Sequence, residues 1–201
     1  MNMNSILNNK DKTEDGILKQ PLLVNLAGAP GAGKSTCAAY CFAKLKMMGI
    51  NCELVTEFAK DKVWEKNNEA LSNQIYIFAK QYYRITRCAG KVDVVITDSP
   101  LFLSPFYNKD PDIDEPLKDL VSKIVSKYTN LNYFIRRVKK YNPVGRLQSE
   151  AESNEYGLHI KDMMKSFGIK FREIDGDLMS VDMIVQDVVE NLHGNQLITN
   201  S

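Results

Sequence analysis

The sequence lacks any run of about 18 consecutive apolar residues, the length that a membrane-spanning helix requires. It has only four cysteines and no C-x-x-C pair, so neither a cysteine metal site nor a disulfide framework is expected. It also lacks a basic stretch followed by an apolar one near its start, which is the pattern of a secretory leader. These absences predict a cytoplasmic protein with reduced thiols and no membrane partner.

An excess of either charge is missing as well. The chain has 26 Lys and Arg against 25 Asp and Glu, a formal net charge of +1. No global attraction to nucleic acid is therefore expected, and any such attraction must come from a local patch. The two histidines, His159 and His193, form no nucleophile–base pattern, and we assign them no role. The length of 201 residues suits a single domain.

Short apolar runs alternate with segments of helical period from Pro21 onward. Strands are predicted at 22–26, 51–57, 92–98, 131–137 and 169–175, and helices at 35–48, 61–88, 117–128, 149–167 and 181–192. This order predicts an α/β fold of the P-loop NTPase type, with about five parallel strands and helices on both faces. Residues 1–20 are polar and aperiodic, which predicts a flexible arm before a single domain at 21–201. The three-proline stretch 99–111 is predicted as a loop.

The glycine-rich stretch GAPGAGKST matches the phosphate-loop pattern G-x-x-x-x-G-K-[ST], between a predicted strand and a predicted helix. Such a loop wraps a polyphosphate with backbone N–H groups at a helix N-terminus. Lys34 is predicted to contact the β- and γ-phosphates, Ser35 to bind Mg²⁺, and Thr36 to support the loop. The residues predicted to bind ATP are Gly28, Ala29, Pro30, Gly31, Ala32, Gly33, Lys34, Ser35 and Thr36.

Two carboxylates follow predicted strands. Asp98 ends the apolar run VDVVITD, at the edge of the sheet where ligands collect in open α/β folds. We predict that Asp98 binds the metal or accepts the acceptor's proton, although it could instead cap the turn at Ser99 and Pro100. Glu57 could contact the acceptor, or it could be a first-turn residue favoured by the helix dipole.

The most basic segment follows a predicted strand. Arg136, Arg137, Lys139, Lys140 and Arg146 surround Tyr141, Pro143 and Gly145. Residues 136–152 are therefore predicted to form a small basic lid whose arginines neutralise charge on a phosphoryl group in transit, rather than a solvated charge run. In QYYRITR, Gln81 and Arg84 share one helix face, and Arg84 is predicted to contact the acceptor, whereas Tyr82 suits the core.

The stretches GAPGAGKST, ITDSPLFLSPFY and RRVKKYNPVGRLQSEAE resemble small bacteriophage P-loop kinases, which are grouped with AAA-type or NadR-like nucleotide-binding domains. The group includes 5-hydroxymethyluracil DNA kinases, which phosphorylate the hydroxymethyl group of a modified pyrimidine in DNA. The resemblance runs from about Leu22 to the C-terminus. It implies ATP and Mg²⁺ as cofactors, Asp98 as the metal or base carboxylate, and Arg137 and Arg146 as catalytic lid residues. It also adds Tyr141 to the acceptor contacts and places the protein in a host cytoplasm.

Two functional hypotheses follow. The first is a kinase that phosphorylates a hydroxyl of a nucleoside-type acceptor, above all hydroxymethyluracil in DNA. A nucleoside monophosphate or ribosylnicotinamide is the alternative acceptor. The second hypothesis is an ATPase switch. The chain length leaves little room for the second domain of a motor, which favours the kinase. The oligomeric state stays open.

Overall fold

The computed structural model describes residues 18–144 and 149–198. Most of the predicted arm at 1–20 lies outside these residues, and its flexibility stays a prediction. Of its last residues, Lys19 accepts a hydrogen bond at its carbonyl from the Gly90 N–H at 2.9 Å. None of the helices in the described part of the chain combines the length and hydropathy needed to cross a membrane.

Five parallel strands form one sheet. They are β1 (Leu22–Ala27), β2 (Cys52–Val55), β3 (Val94–Thr97), β4 (Asn130–Arg136) and β5 (Arg172–Asp175). Their spatial order is β2-β3-β1-β4-β5, and all four pairings are parallel. The predicted parallel α/β fold is confirmed. All six residues of β1 are buried, because this central strand is covered on both faces.

The helices lie on both faces of the sheet. They are α1 (Lys34–Met47), α2 (Phe58–Trp64), α3 (Asn68–Ser72), α4 (Gln74–Thr86), α5 (Ser104–Tyr107), α6 (Asp114–Val125), α7 (Glu150–Ser166) and α8 (Leu178–Ile198). Alternate residues of β1 enter opposite cores, as a strand period of two requires. Val24 packs with the apolar faces of α1 and α8, whereas Leu23 packs with those of α4, α6 and α7.

The stretch 61–88, predicted as mostly helical, is divided into three helices. The Asn67 side chain accepts a hydrogen bond from the Ala70 N–H and begins α3, and the Asn73 side chain accepts one from the Tyr76 N–H and begins α4. Asparagine favours such caps because its side-chain oxygen satisfies an N–H that has no partner within the helix. The two breaks place α2, α3 and α4 around a cavity described below.

The prediction of a loop at 99–111 is wrong in part. The stretch contains a 3₁₀ turn at Leu101–Leu103, then α5, and begins a second 3₁₀ turn at Pro111–Ile113. Proline is compatible with the first turn of a helix, where its missing N–H costs nothing. Leu101, Phe102 and Leu103 are buried in the same core as α4 and α6, and this burial favours ordered backbone over an open loop.

The basic segment connects β4 to α7. Arg136 ends β4, and Ser149 caps α7 in a capping box with Glu152, so the connection is shorter than the predicted 136–152. Residues 137–144 contain neither helix nor strand. Gly145 to Gln148 lie outside the described residues, and with them the predicted catalytic residue Arg146.

Candidate active site

The phosphate loop joins β1 to α1 with the backbone geometry that its glycines allow. Gly33 is left-handed (φ 101°) and precedes α1, whose N-terminus has no side-chain cap among the described residues. A Cβ at Gly28 would lie 2.7 Å from the Ile135 carbonyl oxygen, so no larger residue fits there without movement. The N-terminus of α1 therefore points at the phosphate loop, and the helix dipole favours an anion there.

Three residues that follow β4 in the chain hold the phosphate loop in place. Ser153 on α7 donates a hydrogen bond from its Oγ to the Pro30 carbonyl at 2.6 Å. Gly157, one helical turn after Ser153, packs closely against Ala29 of the loop. A Cβ added at Gly157 would lie 3.2 Å from the Ala29 Cβ. Gly176 follows β5, and a Cβ there would lie 2.4 Å from the carbonyl oxygen of Ala32 in the loop. None of the three residues was predicted from the sequence, although a glycine in mid-helix is costly and could have signalled a close contact.

Lys34 is the first residue of α1 and folds back over the loop. Its Nζ donates hydrogen bonds to the Gly28 carbonyl at 2.9 Å and to the Ala29 carbonyl at 3.0 Å. Its positive charge also lowers the pKa values of Glu57 and Asp98, against the effect of their burial. Lys34 therefore interacts both with the carbonyls of the phosphate loop and with the charges of the two carboxylates.

The two carboxylates lie at the carboxyl ends of neighbouring strands. Val55 of β2 is in register with Thr97 of β3, so Glu57 and Asp98 reach the same edge of the sheet. The Glu57 N–H donates a hydrogen bond to Asp98 Oδ1 at 3.1 Å, and only 6% of Asp98 is exposed. The predicted acidic pair is thus brought together beside the phosphate loop, on the strand ends where open α/β sheets bind ligands.

Burial raises the pKa values of both carboxyl groups above their ordinary values. For Glu57 the nearby charge of Asp98 adds to this rise, whereas Lys34 opposes it. For Asp98 the opposing effects include Lys34 and the hydrogen bonds from its own backbone and from that of Glu57. Asp98 is therefore the better stabilised anion, and Glu57 is the carboxylate whose surroundings favour taking up a proton.

A cavity of about 610 Å³ begins at the phosphate loop and extends between α2, α3, α4 and α5, a size typical of small-molecule sites. Gly31, Gly33, Lys34, Ser35, Thr36, Glu57 and Asp98 line the end near the loop. Away from the loop, the walls include the apolar residues Val63, Leu71, Ile77 and Leu103 and the polar residues Gln74 and Tyr107. The cavity thus has an anion-binding end and a half-apolar end.

Gln81 shares a helix face with Arg84 and was not among the predicted site residues, yet it lines this cavity. Only 3% of it is exposed. Its Oε1 accepts a hydrogen bond from the Phe58 N–H at 2.9 Å, and its Nε2 lies 3.4 Å from Thr97 Oγ1. It therefore ties α4 to the backbone next to Glu57 and Asp98, and its burial in mid-helix could be recognised only once its partners were known.

Four lysines besides Lys34 line the cavity. Lys60 comes from α2, Lys109 from the turn after α5, and Lys139 and Lys140 from the basic segment. Against Glu57 and Asp98, this is an excess of positive charge that suits a polyphosphate. Lys139 and Lys140 belong to the predicted lid, whereas Lys60 and Lys109 gave no signal in the sequence.

Six predicted site residues do not line the cavity among the residues that the structure describes: Gly28, Ala29 and Ala32 of the phosphate loop, and Arg84, Arg137 and Tyr141. The last three make contacts of another kind. Arg84 forms an ion pair with Asp61 at 2.6 Å and donates to the Thr56 carbonyl at 3.1 Å, which joins α4 to α2. Arg137 contacts α7, as described next, and its guanidinium lies 5.1 Å from the centre of the Tyr141 ring. The catalytic and binding roles of these residues stay predictions.

Arg137 connects the basic segment to the phosphate loop through α7. Its guanidinium donates to Ser153 Oγ at 3.3 Å, contacts Asn154 Oδ1, and lies 3.4 Å from Glu150 Oε1. Because Ser153 in turn donates to the Pro30 carbonyl, a continuous chain of hydrogen bonds runs from the segment to the loop.

Comparison with known proteins agrees with the fold. A family model described as an AAA domain matches residues 23–180, and comparison with curated proteins gives no match. A structure of NadR protein in complex with NR has a TM-score of 0.64 at 18% identity, over 85% of this chain and 51% of that chain. A NadR structure with NAD and AMP-PNP gives 0.61 at 16% identity, over 87% and 50%. Deoxyadenosine kinase from M. mycoides with bound dCTP gives 0.54 at 17% identity, over 84% and 99%.

The chain spans about half the length of the NadR chains and nearly all of the deoxyadenosine kinase chain. These likenesses show a common fold, that of a P-loop domain like those of nucleotide kinases. The family match is the stronger evidence for membership, since residues 23–180 make up well over half of the 201 residues. With the loop GAPGAGKS in the expected place between β1 and α1, the chain belongs to the AAA domain family of P-loop proteins.

Proposed function

We propose that this protein is an ATP-dependent kinase that phosphorylates a hydroxyl group of a small nucleoside-type acceptor. One observation carries the proposal. The cavity that the phosphate loop lines continues past Glu57 and Asp98 into a half-apolar slot, the part of the cavity between α2, α3, α4 and α5. An ATPase switch needs the loop and a carboxylate but has no use for a second ligand slot. The carboxylates lie where the two ligands would meet.

The phosphate-loop end binds the triphosphate of ATP. Its backbone N–H groups and Lys34 stabilise the β- and γ-phosphates, since they are fixed before the reaction begins. Ser35 and Asp98 would hold Mg²⁺, which supplies positive charge beside these phosphates when bound. The described residues contain no group of three or more His, Cys, Asp or Glu side chains suited to a metal. A site with few protein ligands fits Mg²⁺, which commonly takes one or two protein oxygens together with phosphate oxygens.

Glu57 is proposed as the general base. The acceptor oxygen forms a bond to the γ-phosphorus while the bond between that phosphorus and the bridging oxygen of ATP breaks. The acceptor's proton passes to Glu57, and ADP leaves. Glu57 suits this role better than Asp98, because the Asp98 charge raises the pKa of Glu57, whereas backbone N–H groups stabilise Asp98 as an anion.

The basic segment is proposed to close over the reacting phosphate. Lys139 and Lys140 line the cavity and would neutralise charge on the phosphoryl group in transit. Arg137 would act by holding the segment on α7 through Ser153 and Glu150. The predicted direct roles of Arg137 and Arg146 in catalysis remain part of this proposal, as do acceptor contacts by Arg84 and Tyr141.

A small acceptor is favoured over hydroxymethyluracil in DNA. The slot is formed by short helices on several sides, so a DNA base could enter only after leaving its stack. Among the similar structures, one is a deoxyadenosine kinase and another is NadR in complex with NR. A ribosylnicotinamide or a nucleoside monophosphate also fits the proposal, and Lys60 and Lys109 in the cavity wall would suit a phosphorylated acceptor.

Transfer of labelled γ-phosphate tests the proposal. The acceptors are nucleosides, deoxynucleosides, nicotinamide riboside, nucleoside monophosphates, and DNA with and without 5-hydroxymethyluracil. We expect a labelled small-molecule product with wild type and none with Lys34→Ala. Labelling of DNA alone would instead support the DNA kinase. ATP hydrolysis at a rate that no acceptor changes would overturn the kinase and leave the switch.

A further inference from the structure

Gln74 has a buried oxygen without a partner. It is the first residue of α4, only 7% of it is exposed, and it lines the cavity. Its Nε2 donates a hydrogen bond to the Leu71 carbonyl at 3.0 Å. Its Oε1 is the one buried side-chain oxygen or nitrogen, among the residues that the structure describes, for which no hydrogen-bond partner is found.

The orientation of this amide is fixed by its neighbour. Leu71 presents a carbonyl oxygen, which can only accept, so the nitrogen of the Gln74 amide must face it. A flipped amide would place two oxygens against each other and would leave the nitrogen unpaired. The unsatisfied group is therefore an acceptor, and a ligand that satisfies it must offer an N–H or O–H.

The position of Gln74 along α4 sets the distance from the reaction. Gln81 lies seven residues later, so the two side chains share a helix face about 10.5 Å apart at 1.5 Å per residue. Gln81 is fixed beside the carboxylates through Phe58 and Thr97. Gln74 thus lies at the far end of the slot, at a distance comparable to that between the hydroxymethyl group of a nucleoside and the far edge of its base.

The surroundings of Gln74 allow its unpaired oxygen to discriminate between ligands that offer a hydrogen-bond donor and ligands that do not. Leu71 and Ile77, each three residues from Gln74 in the chain, also line the cavity and would pack on the faces of a flat ring. A ring that excludes water but offers no donor leaves the Gln74 oxygen buried and unpaired, which is costly. A site of this kind discriminates strongly against an analogue that lacks the donor.

We propose that Gln74 determines acceptor specificity by accepting a hydrogen bond from an N–H on the far edge of the acceptor's base. The substrate class is then a nucleoside whose base carries an amino, carboxamide or ring-amide N–H at that edge. This inference rests on the proposed function, because it assigns the half-apolar slot to the acceptor rather than to ATP.

Matched acceptor pairs that differ by one N–H test the proposal. The pairs are adenosine and purine riboside, cytidine and pyrimidin-2-one riboside, uridine and 3-methyluridine, and nicotinamide riboside and 3-acetylpyridine riboside. Binding is measured by calorimetry and transfer by kcat/KM. In the pair that contains the preferred base, we expect wild type to favour the member with the N–H by about 10- to 100-fold. Equal values within every pair overturn the proposal.

Gln74→Met keeps the length of the side chain but removes the acceptor oxygen, together with the amide nitrogen that donates to the Leu71 carbonyl. It should bring the two members of the preferred pair to within a few-fold of each other. Its unfolding temperature should stay close to that of wild type, because removal of the unpaired oxygen offsets the lost hydrogen bond to Leu71. Gln186→Met, at an exposed position on α8, is the control and should keep the wild-type preference. A preference that persists in Gln74→Met overturns the proposal, because another group must then recognise the base. If Gln74→Met does not fold, the wild-type pairs alone decide.

The outcomes separate this inference from the proposed function. Nucleosides that bind with the expected preference but are not phosphorylated would overturn the kinase and support the role of Gln74. Phosphorylation without preference for the N–H would overturn the role of Gln74 and leave the kinase. Failure of every nucleoside to bind would overturn the role of Gln74, and the transfer assay with nucleoside monophosphates would then decide whether the kinase stands.

Discussion

At the scale of single residues, the site consists of one lysine and two carboxylates that share an electrostatic environment. Lys34 lowers the pKa values of both Glu57 and Asp98, while burial raises them. The two acids are not equivalent, because Asp98 accepts the Glu57 N–H at 3.1 Å. This difference separates the proposed metal ligand from the proposed base.

Lys34→Ala should abolish phosphoryl transfer with little effect on the fold. The side chain contacts loop carbonyls rather than a core, so far-UV circular dichroism should be unchanged. Loss of the charge that stabilises the transferred phosphate should lower kcat by at least about 100-fold. Lys46→Ala, at an exposed position on the same helix, is the control and should keep wild-type kcat. A Lys34→Ala enzyme with near wild-type kcat would remove the phosphate-loop argument.

The pH dependence of transfer should identify the base. A base acts only when deprotonated, and burial raises the pKa of Glu57, so kcat/KM should fall as the pH drops through a value above the usual glutamate range. Glu57→Gln should lower kcat by about 10²- to 10⁴-fold and remove this acidic limb. Asp98→Asn should also be slow but should keep the limb. If the acidic limb remains in Glu57→Gln but disappears in Asp98→Asn, then Asp98 is the base and Glu57 is the metal ligand.

The raised pKa of Glu57 also predicts a gain in stability on neutralisation. A carboxyl group whose pKa is higher in the folded state binds its proton more tightly there, so its contribution to stability falls as the pH rises through the shifted range. Glu57→Gln should therefore unfold at a higher temperature than wild type at neutral pH. The difference should disappear below the ordinary glutamate pKa, where the group is protonated in both states. Thermal unfolding at several pH values measures this, and an equal or lower unfolding temperature at neutral pH would contradict it.

At the scale of secondary-structure elements, α7 connects the basic segment to the phosphate loop through hydrogen bonds. Arg137 contacts Ser153, and Ser153 donates to the Pro30 carbonyl. Gly157 allows the helix to approach Ala29 closely. The loop is therefore held by a neighbouring helix as well as by its own glycines, which explains how a loop of small residues keeps one shape.

Gly157→Val should weaken ATP binding from outside the cavity. Its added methyl groups would overlap Ala29, and overpacking of this kind costs about 1–3 kcal/mol of stability. Part of this strain should displace the loop, so the Kd for ATP should rise along with the loss in unfolding temperature. Glu155→Val introduces the same side chain at an exposed position of α7 and should leave the Kd unchanged. An unchanged Kd in Gly157→Val would show that the loop does not depend on α7.

At the scale of the whole molecule, positive charge is concentrated around the cavity although the net charge is close to zero. The formal net charge is only +1, yet five lysines line the cavity against two carboxylates. Lys139 and Lys140 reach it from the segment after β4, whereas Lys60 and Lys109 come from the opposite side. The positive field is thus directed at the ligand, as suits a polyphosphate rather than an extended nucleic acid.

Neutralising Lys139 and Lys140 together should distinguish a small acceptor from DNA. For a small nucleoside, the double variant Lys139→Gln/Lys140→Gln should lower kcat but change acceptor affinity little at either low or high salt. For DNA, it should weaken binding and reduce the log–log salt slope by about one unit per lost phosphate contact. Lys123→Gln/Lys127→Gln, at exposed positions around the end of α6, is the matched control. A reduced slope in the first variant alone would revive the DNA acceptor.

Features that depend on residues close together in the chain could be predicted from the amino-acid sequence. The spacing of Gly28, Gly33 and Lys34 defines the phosphate loop because backbone angles and helix start are local properties. The apolar run before Asp98 placed this acid at a strand end, since a buried strand is recognisable from its own residues. Five such runs alternating with helices were enough to predict the parallel sheet.

Contacts between side chains far apart in the chain became known only from the folded structure. The order β2-β3-β1 makes Glu57 and Asp98 neighbours although 41 residues separate them, and it gives Gln81 its partners next to both. Arg84 and Arg137 are basic residues of the expected kind, but their contacts are with Asp61 and α7. Hydrogen bonds and ion pairs of this range depend on how elements pack, because a polar side chain can be satisfied by many partners and its own sequence neighbourhood does not choose among them.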